Sequence, residues 1–202
     1  MPDGWSDTSK ADPANKPYPD DPTDFTWVTM PSNGLNAITP WGACFAMVQC
    51  HYGVTPEASD EWLVTPTITP QTDDLLHFYM AYNPYFMLRD RENGEGWLSR
   101  LEVLASTDDG ANWTLIWNNY DEALKVSAEE RYKASIGQSE VTDFNPYFID
   151  IKDYYNKPVK FAFRFVGAGG YRVAIDNVTV GVPYPEAKYL SLIHISEPTR
   201  RS

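Results

Sequence analysis

Between Leu101 and Gly181 apolar side chains return at every second position, a period that fits half-buried strands and not amphipathic helices. Leu101, Val103 and Ala105 share one face. Trp113, Leu115 and Trp117 make a second set, and Val159, Phe161, Phe163 and Phe165 a third, alternating with Lys160, Ala162 and Arg164. Three such runs predict a β-sandwich core. None of them carries a catalytic constellation, so the sequence speaks first about architecture.

At 202 residues the chain is long enough for one domain with a sizeable core and no disulfide staples. Aromatic residues at 14%, with 16 Pro and 12 Gly, put large packing groups between frequent turns, which is an all-β composition. A formal net charge of −12 with scattered basic residues disfavours a nucleic-acid partner. That acidity fits a soluble, secreted, cation-binding protein, but a plain solvated surface is the favoured reading. No run of 18 apolar residues occurs, so no membrane span is expected. No charged-then-apolar leader opens the chain, and sequence upstream of Met1 is expected to be missing.

Cys44 and Cys50 fall in one predicted strand. Six extended residues span about 20 Å while disulfide Cα atoms lie within about 7 Å, so the two are expected to be buried thiols on the face of Ala46 and Val48.

Residues 1–24 are polar and Pro-rich and are expected to lie as coil over the sandwich, with Trp5 tucked in. Strands are expected at 24–30, 43–52, 61–69 and 75–82, the third broken by Pro66 as an edge or corner, the fourth central because it is apolar on both faces. A charged loop spans 83–96, closing on Asn93, Gly94, Glu95 and Gly96. A second insertion spans 118–145 and contains one candidate surface helix. Asn-Pro-Tyr-Phe occurs at 83–86 and again at 145–148, as two loop-to-strand junctions. Domain boundaries follow: one domain over 1–182, then 183–202 as linker and tail. From Leu190 the tail resembles one reading frame through a transposase adapter used for sequencing libraries. The competing reading is an ordinary polar tail.

Ser106, Asp108, Gly110 and Trp113 fit the spacing Ser-x-Asp-x-Gly-x-x-Trp, the Asp-box pattern. Its chemistry is local: Asp108 accepts backbone N–H groups, Gly110 takes a positive φ, and Trp113 packs under the hairpin. In the last strand Tyr171, Val173 and Ile175 share a face while Val178 and Val180 take the other parity, which implies a bulge at Asp176–Asn177. Asp176 is then re-aimed. Two readings stand for it, a hydrogen-bonded corner and a calcium ligand.

Apart from His194 in the tail, the histidines are His51 and His77, each inside a strand pattern and expected to be packed. There is no nucleophile–base set, no phosphate-cradling Gly loop and no Cys/His zinc spacing, so the expectation is a non-enzyme.

Four pieces in order resemble the cleaved-adhesin or choice-of-anchor J family of MAM-like jelly rolls. They are Pro2-Asp3-Gly4-Trp5, Ser59 to Pro66, Leu101 to Trp117, and Val159 to Gly181 with Ala174-Ile175-Asp176-Asn177-Val178 inside it. The resemblance covers residues 2–181. It implies a two-sheet antiparallel jelly roll, also described as galactose-binding-like, from bacterial surface and secreted proteins. It further implies an extracellular or cell-surface location, a non-catalytic binding or adhesive role, and structural Ca2+, with Asp176 as the metal residue. The family's opening acidic strand is missing here, which implies a weaker metal site and an exposed edge. The expected partner is a glycan or a surface or host protein, met through Tyr85, Arg89 and Trp97 in or beside the 83–96 loop, because aromatic faces stack on sugars. The alternative is an accessory domain of a larger secreted peptidase or glycoside hydrolase.

Overall fold

Successive side chains of a strand leave opposite faces, so Phe161, Phe163 and Phe165 turn inward together while Lys160, Ala162 and Arg164 turn out. Two sheets close on that inward set. The computed structural model describes residues 2–11, 26–31, 44–49, 59–82, 99–119, 144–167 and 172–182. Its strands are β1 (Ser6–Ser9), β2 (Val28–Pro31), β3 (Cys44–Gln49), β4 (Ser59–Val64), β5 (Leu75–Tyr82), β6 (Arg100–Ser106), β7 (Thr114–Asn118), β8 (Asn145–Asp150), β9 (Lys160–Gly167) and β10 (Arg172–Gly181).

The first sheet runs β1-β4-β9-β6-β7 and the second β2-β3-β10-β5-β8, with antiparallel pairing throughout. Counted from β3 to β10, the eight strands follow jelly-roll wiring. The first, eighth, third and sixth form one sheet, and the second, seventh, fourth and fifth form the other. β2 and β1 each add one outer strand. The expected all-β, two-sheet jelly roll is the fold observed, and β5 is central as expected.

The core is aromatic. Phe78 of β5 meets Phe163 of β9 edge-on at 5.1 Å and Trp117 of β7 at 5.8 Å, and stacks on Tyr147 of β8 at 5.6 Å. Leu76, Met80, Leu101, Val103, Val173 and Ile175 fill the space around these rings. Trp5 stacks on Phe163 at 6.4 Å, held there by a turn in which Gly4 takes a φ of 80° and the Trp5 N–H reaches the Pro2 carbonyl.

The structure differs from the sequence expectations at several places, among them His77, which was expected to be packed and takes the outward parity of β5, half-buried. Residues 6–9 form a strand instead of coil. They show no alternation and are held by backbone pairing to β4 and by the Ser9 hydroxyl donating to Glu61 Oε1 at 2.8 Å. Trp113, Leu115 and Trp117 do not share a face. A bulge opposite Val103–Leu104 inserts Ile116, so Trp117 enters the core while Trp113 lies outside against Trp62. Cys44 is exposed, because β3 leaves β10 at the Ala46–Ile175 pair and Cys44 lies beyond it. Cys50 falls outside the described residues. Finally, the second Asn-Pro-Tyr-Phe is the body of β8.

Around Trp62 the outer face of the first sheet is closed by charge and aromatic packing. Arg164 grips Asp60 with two nitrogens, at 2.6 and 3.0 Å, and donates to Glu102 at 3.0 Å. Arg100 donates to the other Glu102 oxygen at 2.6 Å. The hydrogen bond that Arg164 donates to Asp60 is the main cause that lifts the Arg164 pKa above its ordinary value. Trp62 sits between Arg164, Lys10 and Trp113, the last at 5.5 Å.

Trp113 is delivered there by the Asp-box hairpin, which forms as expected. Asp108 accepts the Asn112 N–H at 2.9 Å, the Asn112 amide at 2.7 Å and the Ser106 hydroxyl at 2.8 Å. Gly110 has a φ of 93°, which L side chains rarely adopt, and a Cβ there would touch the Trp113 ring at 3.4 Å.

Candidate ligand-binding site

The bulge expected at Asp176–Asn177 is present. Asp176 pairs with Tyr79 and Thr179 with His77, so Asn177 and Val178 together face one residue of β5. Asn177 takes a φ of 49°, a conformation that asparagine tolerates better than most residues. Asp176 Oδ1 accepts the Asn177 N–H at 2.7 Å, and the Thr179 hydroxyl donates to the Asn177 carbonyl at 3.2 Å. These bonds hold the carboxylate in the re-aimed position that the parity switch implied.

The β3–β10 ladder ends at Ala46–Ile175, just before the bulge. Past that point the two strands part, and a cavity of about 380 Å³ opens between the sheets, lined by Trp5, Thr29, Phe45, Leu63, Asp176 and Val178. Cys44 stands on its wall.

A calcium ion takes six to eight oxygen ligands. Around Asp176 the described residues offer its own carboxylate, the Thr29 hydroxyl, the Asn177 amide and backbone carbonyls, amid apolar walls. Among the described residues no three His, Cys, Asp or Glu side chains converge as metal donors. A calcium site at Asp176 therefore requires further oxygens from outside the described residues. Tyr85, Arg89 and Trp97, the expected ligand-binding residues, also lie outside them.

The outer face of the second sheet carries an arrangement that the sequence reading did not single out. Leu76, Phe78 and Met80 of β5 and Tyr147 and Ile149 of β8 point into the core, so Leu75, His77, Tyr79, Pro146, Phe148 and Asp150 take the outward parity. The registers align three lateral rows across β10, β5 and β8. Asp176, Tyr79 and Pro146 form one row, Thr179, His77 and Phe148 the next, and Gly181, Leu75 and Asp150 the third.

Phe148 is 51% exposed, and its ring centroid lies 5.9 Å from that of His77 at 32° between planes. Burial lowers the His77 pKa below its ordinary 6.5. The signal was available: in Asn145–Asp150 the residues Pro146, Phe148 and Asp150 alternate with Tyr147 and Ile149. Assigning the tetrad to a loop junction hid that period.

No protein-family model matches the sequence, and no curated protein matches it. Among solved structures the chain is similar to the K1 cleaved adhesin domain of Lys-gingipain from Porphyromonas gingivalis W83. The identity is 14% and the TM-score 0.56, over 91% of this chain and 93% of that one. It is also similar to the K2 cleaved adhesin domain of Lys-gingipain, at 14% identity and a TM-score of 0.51, over 87% of this chain and 88% of that one. The relationship is a distant one of fold.

Proposed function

We propose that the chain is a non-catalytic binding module of the cleaved-adhesin or choice-of-anchor J kind, acting outside the cell or on its surface and recognising a glycan or a protein. One topological observation supports this most. Gln49 pairs with Arg172, Tyr82 with Val173, Met80 with Asn145, Ser59 with Gly167, Arg100 with Val166 and Glu102 with Asn118, so the strand ends that bound 50–58, 83–98, 120–143 and 168–171 are neighbours. The segment bearing Tyr85, Arg89 and Trp97 starts from that end. Long connections gathered on a rigid sandwich are a common seat of recognition. Among the described residues no helix is long and apolar enough to cross a membrane.

Purified protein should give background rates on chromogenic glycosides, esters and peptides while being retained by a glycan or a surface protein. Turnover that a single Asp or Glu substitution abolishes overturns the reading. A structural calcium held in part by Asp176 belongs to the same proposal, since a metal that binds only the folded state stabilises it by mass action. Chelator should then lower the wild-type melting temperature. Asp176→Ala should lower it too and abolish the further loss on adding chelator. A hydrogen-bonded corner gives the first mutant effect without any response to chelator.

A further inference from the structure

We propose that the outer face of the second sheet, at the row Thr179–His77–Phe148, is a subsite for one neutral pyranose ring of a glycan. The inference rests on the binding-module reading and places a contact on a strand face in addition to the loops. Phe148 keeps half of its surface in water on a sheet whose other side is a dry aromatic core. A flat aromatic face open to water, with polar groups around it, has the chemistry to stack on the C–H face of a sugar ring.

The frame is present here. His77 and Phe148 are cross-strand partners with rings tilted by 32°, so they form a shallow platform two strands wide. Neighbouring strands lie about 4.8 Å apart, close to the width of a six-membered sugar ring. The Thr179 hydroxyl adjoins His77 on one side, and the Asp150 carboxylate, paired with the Lys152 ammonium at 3.3 Å, stands in the flanking row. Sugar hydroxyls donate to such oxygens while the C–H face of the ring lies on the aromatic platform.

The charge of the whole chain bears on that of the occupant. At a net charge of −12 the chain repels sialic, uronic and sulfated sugars. Burial lowers the His77 pKa, which favours the neutral imidazole, with one donor and one acceptor, over a cation that would draw an anionic sugar. A cationic peptide side chain over an exposed ring gains little in water.

The test is native affinity electrophoresis of the full chain through gels containing soluble galactan, xylan, mannan or mixed-linkage β-glucan, with thermal melts alongside. Wild type should be retarded by at least one polysaccharide. Phe148→Ala should weaken that retardation by about tenfold or more without shifting the melt by more than a few degrees. Phe148→Leu, which keeps apolar volume on the strand and removes the flat face, should lose it as well, and Phe148→Tyr should keep it.

Wild-type binding by Phe148→Leu overturns the stacking subsite. Indifference of Phe148→Ala overturns it too, and a loss with Trp97→Ala then keeps the module reading on the loops. A wild type that no neutral polysaccharide retards overturns the subsite, while its capture on a surface protein preserves the broader reading.

Discussion

Trp62 on the first sheet and Phe148 on the second both occupy the outward parity of a strand, yet Trp62 is 6% exposed and Phe148 51%. Trp62 is covered by residues that arrive from elsewhere in the chain: Lys10 beyond β1, Trp113 from the Asp-box hairpin, and Arg164 anchored to Asp60. Phe148 has the His77 ring beside it. Strand parity decides which face a residue takes, and the connections decide whether that face is sealed. Cover is decided position by position, since Leu115 on the first sheet is 48% exposed while Phe45, Met47, Ala81 and Ala174 on the second are buried.

Removing the seal should have the largest effect. Arg164→Ala strips the guanidinium from Asp60 and Glu102, whose side chains are 17% and 6% exposed. Breaking a buried pair from one side costs about 3–5 kcal/mol, and about 3 is expected here because Trp62 Nε1 still donates to Asp60 and Arg100 to Glu102. Urea unfolding of wild type and variant measures it. A loss below about 0.5 kcal/mol would make this face an ordinary solvated surface and dissolve the contrast with the other.

A smaller effect is expected from acid, acting through the hairpin that carries Trp113. The Asn112 side chain first, then its backbone N–H and the Ser106 hydroxyl, lower the Asp108 pKa from 3.8 to about 2. The folded-state value lies below the unfolded one, so the stabilisation is complete above about pH 5 and is lost as the pH falls through the folded value. Wild type should therefore lose stability between pH 4 and 2 by more than Asp108→Asn does, with a change in Trp fluorescence as Trp113 leaves Trp62. Equal acid responses would show that the turn's hydrogen bonds do not hold the cover in place.

The jelly roll and the bulge were legible because both are written in parity. Phe161, Phe163 and Phe165 alternate cleanly, and Val178 and Val180 break the rule set by Val173 and Ile175. Ser6–Ser9 was not legible, since an edge strand held by backbone pairing and one hydroxyl needs no apolar period. Ile116 was equally silent: a bulge inside a run that is apolar on both faces leaves no mark on the pattern, so Trp113 and Trp117 looked like neighbours. Exposure of Phe148 could not be read at all. Parity placed it outward once β8 was recognised, but whether a distant segment covers it is a tertiary fact.

The smallest stability effect is expected at Phe148 itself, and it is the sharpest test of the contrast. A cross-strand aromatic pair contributes about 0.2–1 kcal/mol, and a half-exposed ring on an edge strand has little buried area to lose. Phe148→Ala should therefore cost less than about 1 kcal/mol in the same urea titration that registers about 3 for Arg164→Ala. Similar losses at the two positions would mean that Phe148 is held by packing as Trp62 is, and that the second sheet's outer face is structural. A near-neutral result, with the full cost still seen at Arg164, shows that the ring can be exchanged without loss to the fold, which a contact residue requires and a covered one such as Trp62 does not allow.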